Sequence, residues 1–262
     1  MLSDTDIELR YLVALGLAQE AGALAMTYAN NRATMATRMK GPQDFLTEAD
    51  GAVEAMLRSR LARIFPGDGF VGEEGGGEGA DNLWIVDPID GTANFARGEL
   101  HWCISIGFVQ QLRPVIGVIH SPPLAETFAA RKGAGATLNG RPIKVSGNTD
   151  LAAGSVEIGW SARRPFEHYV EMVSKVGGMG ASAKRSASGA LGMAWVAAGR
   201  TDAYVELHIN SWDVAAGIVI VEEAGGVVND FFARDGLRQG NPILAATPAF
   251  AEPLRAIMGQ TA

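Results

Sequence analysis

Carboxylates stand where short apolar runs of this chain stop. Trp84-Ile85-Val86 reads as a β-strand, and Asp87-Pro88-Ile89-Asp90-Gly91-Thr92 follows it with two acids, a fixed dihedral at Pro88 and a permissive one at Gly91. A second short strand, Phe70-Val71-Gly72, runs directly into Glu73 and Glu74, and Asp213 follows Ser211-Trp212 at the head of an apolar run. If the first two strands are neighbours, their acidic ends converge. Glu73, Asp87, Asp90 and Asp213, with Asp50, Glu74 and Glu206 as outer members, are hard oxygen donors that suit Mg²⁺ or Mn²⁺, whereas no cysteine pattern or paired helical histidines point to zinc. Magnesium keeps several waters and adds substrate phosphate oxygens, so an open site at strand ends is expected. Thr92 stands at a potential helix start, where free N–H groups and the helix dipole favour a phosphate. It would serve equally as a plain N-cap, and Asp213 as a residue that caps or leads the helix over 214–224.

The elements that must position these groups follow from periodicity. Residues 9–28 read as an amphipathic helix carrying Arg10, Gln19 and Glu20, and Thr47 can cap a second helix that runs to Ile64 before Pro66-Gly67. In that setting Asp44, Glu48 and Asp50 are a loop and a charged first helical turn, and Lys40 a solvated lysine. Residues 103–109, 114–120 and 126–130 look like successive strands, with a hairpin turn at Asn139-Gly140, which predicts one substantial antiparallel sheet. The second half mixes types: strands at 156–159, 203–205 and 243–246, helices over 166–175, 189–198, 214–224 and 250–258. The class is therefore α/β (α+β), with an N-terminal half over 1–150 and a C-terminal half over 151–262 expected to form one compact unit. No long linker or internal repeat divides them.

Composition narrows the function. Twenty-two Lys plus Arg stand against 29 Asp plus Glu, a formal charge of −7, which argues against non-specific nucleic-acid binding and against an anionic membrane surface. An acidic protein that handles phosphate needs metal ions or helix N-termini to reverse the local field. The lone Cys103 excludes an internal disulfide, fits a reducing cytoplasm, and in its strand reads as a small buried hydrophobe rather than a nucleophile. No basic region precedes an apolar stretch at the N-terminus, so no signal peptide is expected. The glycines around Gly75 lack the Lys-Ser/Thr ending of a nucleotide loop, and no Gly-x-Ser-x-Gly elbow is present.

The run from Asp87 to Phe95, DPIDGTANF, resembles the signature of the inositol monophosphatase family of metal-dependent, lithium-sensitive phosphatases, and Trp212-Asp213-Val214-Ala215-Ala216-Gly217 continuing to Gly226 resembles its C-terminal signature. Gly72-Glu73-Glu74 and Thr47-Glu48-Ala49-Asp50 match further family elements in order. The resemblance implies a layered α-β-α-β-α sandwich with the site between its halves, and two or three Mg²⁺ ions, Mn²⁺ being a substitute. One ion would be held by Glu73, Asp87 and the Ile89 carbonyl, a second by Asp87, Asp90 and Asp213, with Glu73 reaching a weak third through water. Asp50 and Thr92 would orient or deprotonate the attacking water. Gly91 and Thr92 would give N–H groups to phosphate, Glu206 would meet a substrate hydroxyl beside Asp90 and Asp213, and Lys40 would stand at the mouth.

The family's usual Gly-Ser/Thr-Ala-Ala is replaced here by Ala187-Ser188-Gly189-Ala190, so Ser188 and Gly189 are expected to line an altered pocket for the alcohol, retuned further by His208 and Asn210. The implied activity is hydrolysis of inositol monophosphate or a related small polyol phosphate without a phosphoenzyme, by a cytoplasmic homodimer. Relatives act instead on histidinol phosphate, fructose 1,6-bisphosphate, NADP or adenosine bisphosphate, and some bacterial ones dock transcription components as regulatory proteins.

Overall fold

The computed structural model describes residues 2–41, 44–77 and 80–259, the side chains of Thr34, Lys40 and Asp44 excepted. The first half runs α1 (Asp4–Asn30), β1 (Thr37–Gly41), β2 (Asp44–Thr47), α2 (Glu48–Ile64), β3 (Gly69–Gly72), β4 (Asn82–Asp90), α3 (Thr92–Arg97), β5 (Cys103–Gln110), β6 (Arg113–Ser121), β7 (Glu126–Arg131), β8 (Ala136–Leu138) and β9 (Arg141–Ile143). The second runs β10 (Ser155–Ile158), α4 (Phe166–Gly178), β11 (Ser182–Lys184), α5 (Gly189–Ala197), β12 (Ala203–Ile209), α6 (Ser211–Glu223), β13 (Val227–Val228), α7 (Gly236–Gln239), β14 (Asn241–Ala246) and α8 (Pro248–Met258). By length and composition α1, at 27 residues, could cross a membrane. Here Ala14, Leu17, Ala18, Ala21 and Ala25 bury one stripe of it, in a cluster with α2 and the first sheet.

A seven-stranded sheet has the order β3-β4-β5-β6-β7-β8-β9, antiparallel throughout except for the parallel pair β3 and β4. The predicted Asn-Gly turn joins β8 to β9, with φ of 50° at Asn139 and 75° at Gly140. A five-stranded sheet has the order β11-β10-β12-β14-β13. Alternation along the strands distributes the apolar side chains between layers. Trp84, Val86, Ile104, Ile106 and Phe108 pack under α1 and α2, whereas Leu83, Ile85 and Cys103 face α5 and α6. Tyr204, Ile209, Ile243 and Ala245 close on those two helices from the second sheet, and the opposite face of that sheet buries Val156, Ile158, Val205 and Leu244 with α4 and α8. The layers are thus α-β-α-β-α, as the resemblance implied.

The central layer lies close on the first sheet for a local reason. Gly107 of β5 and Gly117 of β6 are paired directly across the ladder. A Cβ added at Gly107 would sit 2.7 Å from the Cβ of Ala215, and one at Gly117 2.1 Å from the carbonyl oxygen of Ala216. Two glycines below and two alanines above let the backbone of α6 rest on the strands. The first turn of α6 is thereby brought against the end of β4, and Ser105 Oγ of β5 donates to the Trp212 carbonyl at 3.2 Å.

Candidate active site

The sequence suggests that the strand stops after Val86. It continues to Asp90, and the continuation is what unites the acids. Strict alternation would send Asp87 and Asp90 to opposite faces, since they are an odd number of residues apart. Asp87 is opposite Ser105 and Asp90 opposite Cys103, so one extra residue of β4 is accommodated as a bulge. Pro88, which lacks a ladder donor, falls inside it, and the Ile89 N–H turns back to Asp87 Oδ1 at 2.9 Å. Both aspartates consequently face the α5/α6 side. The parallel pairing of β3, which sets Gly72 beside Val86, places Glu73 at the same sheet edge, its N–H donating to the Val86 carbonyl at 3.3 Å.

Asp213 arrives from α6. Asn210 is the N-cap and Asp213 completes a capping box, accepting from the Asn210 N–H at 3.0 Å. The helix-leading role and the site role belong to the same side chain. Carboxylate oxygens of Asp87, Asp90 and Asp213 lie within 4.8 Å of one another; Glu73 is outside that trio, although its charge bears on Asp87. Burial, followed by the charges of Glu73, Asp90 and Asp213, pushes Asp87 well above the usual carboxylate range. Burial, followed by the Asp90 charge, pushes Asp213 up to about 7.

Asp90 is fixed by partners almost a hundred residues away. Ser188 Oγ donates to its Oδ2 at 2.6 Å, Ala190 N–H to the same oxygen at 2.7 Å, and Gly189 N–H to Oδ1 at 3.3 Å, so the start of α5 grips the carboxylate. Burial raises its pKa while these bonds lower it. Ser188 and Gly189 both line the cleft, with these polar atoms directed at Asp90. Cys103 is fully buried beside them, its thiol pushed well up by burial and then by Asp90, which fits the structural role read from its strand.

A second group sits at the other side of the β4 end. Asp50 and Thr47 form a capping box on α2, with Asp50 Oδ2 accepting from the Thr47 N–H at 2.8 Å and from its hydroxyl at 2.6 Å. Its other oxygen is 3.1 Å from the Thr92 hydroxyl, which also lies 2.9 Å from the Ile89 carbonyl. Burial pushes Asp50 up to about 6. Gly91, not Thr92, is the N-cap of α3: its φ is 94°, and an added Cβ would lie 2.9 Å from the His101 carbonyl. Thr92 is thus free of capping duty and turns to Asp50.

Glu73, Asp90, Gly91, Thr92, Ser188, Gly189 and Asp213 line one cleft of about 690 Å³, together with Glu206, His208 and Asn210. Tyr204 donates its hydroxyl to Glu206 Oε2 at 2.7 Å, and a Cβ at Gly159 would sit 2.0 Å from that oxygen, so Gly159 makes room for the acid. Burial lifts Glu206 to about 8. The side chain of Lys40 lies outside the described residues. Sequence reasoning missed Glu157, Asn94 and Tyr204. Buried Glu157, pushed by burial to about 7, accepts from the Ser186 N–H at 3.0 Å, and Asn94 donates to the Ser186 carbonyl at 2.8 Å and to His101 O at 2.7 Å. This double grip fixes the segment that leads into Ser188 through Ala187, whose φ is 61°. Asn94 was legible only as part of the motif, and a lone glutamate in a strand carries no sequence signal.

The donor set fits a hard divalent cation. Three clustered carboxylates, those of Asp87 and Asp90 buried and that of Asp213 half-buried, with no nitrogen or sulfur ligand among them, suit Mg²⁺ or Mn²⁺.

Residues 6–260 match the profile described as the inositol monophosphatase family. A Nus factor SuhB of Pseudomonas aeruginosa is 36% identical over 255 residues, 94% of each chain. A fructose-1,6-bisphosphatase/inositol-1-monophosphatase of Thermotoga maritima is 37% identical over 226 residues, 85% of each. Among solved structures, an inositol monophosphatase from Anabaena superposes with a TM-score of 0.84 at 31% identity, covering 98% of both chains.

Proposed function

The chain belongs to the inositol monophosphatase family, and from that premise we propose that it is a Mg²⁺-dependent phosphate monoester hydrolase acting on inositol monophosphate or a related small polyol phosphate. One observation carries the reading: a cluster of three aspartates, Asp87 and Asp90 buried and Asp213 half-buried, opens into a polar cleft beside a hydroxyl shared between Asp50 and the Ile89 carbonyl. Asp87, Asp90, Asp213, Glu73 and the Ile89 carbonyl would hold the ions, which supply charge neutralisation and an acidified water when bound.

The protein's own groups do the rest. Ionised Asp50 takes the hydrogen bond of Thr92, which leaves the threonine oxygen's lone pairs to accept from a water and aim it. Gly91 and Thr92 present N–H groups of the first turn of α3 to phosphate oxygens. Glu206, buried and held by Tyr204, meets a hydroxyl of the alcohol, while Asp90 and Asp213 face the same space. The reading needs no phosphoenzyme, since a metal-activated water would serve as the nucleophile. Phosphate release from inositol 1-phosphate should stop in EDTA and return with Mg²⁺, with inhibition by Li⁺; metal-independent turnover would sink the reading. Action in the cytoplasm as a homodimer belongs to the same proposal.

A second reading is favoured by the relatives named Nus factor SuhB, among them one of Escherichia coli at 34% identity. In it the chain also docks a transcription component, and that binding would persist in a folded variant without phosphatase activity.

A further inference from the structure

We propose that Glu54 of α2 is a positioning residue for the candidate cation site: its carboxylate fills the glycine-rich turn after β3, fixes Glu73 at the head of that turn, and thereby sets how tightly Mg²⁺ is held. The inference rests on the metal-binding part of the phosphatase reading above and deepens it by naming a controlling residue that does not itself line the cleft.

Glu54 lies in the middle of α2 and is only 4% exposed. A carboxylate buried that deeply requires partners, and both of its oxygens have them. Oε2 accepts the Glu74 N–H at 2.8 Å, while Oε1 accepts the Gly75 N–H at 2.8 Å and pairs with Arg58 Nη2 at 2.9 Å. The same Arg58 nitrogen donates to the Gly76 carbonyl at 2.9 Å, and the guanidinium lies 4.3 Å from the ring centroid of Phe70 in β3. The turn closes on itself where the Gly72 N–H donates to the Gly76 carbonyl at 3.1 Å. Glycine makes the room: a Cβ at Gly72 would sit 2.3 Å from Glu54 Oε2, and one at Gly75 2.6 Å from Oε1. The glycine cluster that fits no nucleotide loop is thus a receptacle for a carboxylate of this chain.

Glu73 stands between two tied neighbours, Gly72 in the ladder beside Val86 and Glu74 on Glu54. The backbone on both sides of it is therefore fixed, and the residue lines the cleft with Asp90 and Asp213. A plain i,i+4 ion pair would account for the Glu54–Arg58 contact alone; the three bonds to the backbone of residues 74–76 are what it leaves over. Asp50, four residues before Glu54, lies on the same face of α2, so one helix carries both the acid that meets Thr92 and the pair that holds the Glu73 turn.

Calorimetric titration of Mg²⁺ into the substrate-free protein reads the effect directly. Glu54→Gln keeps the size of the side chain but sets an amide donor against one of the two N–H groups, and should weaken Mg²⁺ binding by about 10- to 100-fold. Gly75→Ala, whose methyl pushes on Glu54 Oε1 from the turn, should weaken it in the same direction, and it decides the question if Glu54→Gln fails to fold. In phosphate-release assays the Mg²⁺ concentration for half-maximal rate should rise in step, while kcat at saturating Mg²⁺ stays within about threefold of wild type because Asp50 and Thr92 are untouched. Val176→Ala, buried in the cluster of α4 and α8 on the far face of the second sheet, is the control for lost stability: it should lower Tm in EDTA and leave Mg²⁺ affinity alone. The positioning role is overturned if the folded variants bind Mg²⁺ within about twofold of wild type, if Val176→Ala weakens binding as much as they do, or if kcat at saturating Mg²⁺ falls with affinity unchanged. A wild type that binds Mg²⁺ but releases no phosphate fails the phosphatase reading alone and leaves the titration to decide the role of Glu54. A wild type that binds no Mg²⁺ overturns both.

Discussion

Asp90→Asn should make the metal-free protein more stable and the enzyme inactive. The carboxylate oxygens of Asp87, Asp90 and Asp213 lie within 4.8 Å of one another. At an effective dielectric constant of about 20, each fully ionised pair at that separation repels by about 3.5 kcal/mol. The cluster relieves part of this by retaining protons, as the raised Asp87 and Asp213 pKa values record, so a net gain of roughly 1–3 kcal/mol is expected from removing one charge. Asparagine keeps an oxygen for Ser188 and Ala190, and its amide takes the place of the oxygen that accepts the Gly189 N–H at 3.3 Å, a lost bond that offsets part of the gain. At about 2–4 °C per kcal/mol, Tm in EDTA should rise by roughly 2–12 °C. Mg²⁺ should raise Tm of the wild type by mass action and leave that of the variant nearly unchanged. Thermal melts with and without Mg²⁺, paired with phosphate release, decide it. A variant that melts below wild type in EDTA, or gains as much from Mg²⁺, would refute the electrostatic reasoning.

Two further outcomes follow from the same site. Thr92→Val removes the hydroxyl between Asp50 and the Ile89 carbonyl and should lower kcat by about 10²- to 10³-fold in a protein that still melts cooperatively, read by steady-state kinetics; a kcat within a few-fold of wild type would remove Thr92 from the mechanism. Stability in EDTA should fall as pH rises. Burial lifts Glu157 to about 7 and Glu206 to about 8, so their contribution is complete below the unfolded value near 4.5 and is lost as pH climbs through the folded values. Buried His101, depressed to about 4, acts in the opposite direction only below about 6.5, which leaves pH 6.5 to 8.5 as the clean window. Melts across it should show a falling Tm that Glu206→Gln flattens, and a rising Tm would contradict the assignment.

Strand ends and helix starts were legible because burial writes a period into the sequence. Leu83, Ile85, Trp84 and Val86 divide cleanly between two layers, and Thr47, Asp213 and the Asn139-Gly140 turn stand where local chemistry puts them. The strands that went unread, β1, β2, β11 and β13, are two to five residues long, and all of β11 is exposed, so no apolar pattern marks it. The bulge at Pro88 is a property of pairing with β5, invisible along β4 alone. The hold of Ser188 on Asp90 joins residues far apart in the chain, where no spacing rule reaches.

The glycine seam beneath α6 separates two kinds of change open to this molecule. With Gly107 and Gly117 set against Ala215 and Ala216, no side chain larger than an alanine methyl stands at this contact, so the distance from Asp213 to the end of β4 is inherited from near-backbone contact. The opposite wall of the cleft is made of connecting segments around Arg163 and Arg185, which are exposed and free to lengthen or change. Under the proposed phosphatase reading, drift in those segments would exchange one accepted alcohol for another while the acidic cluster stays as it is.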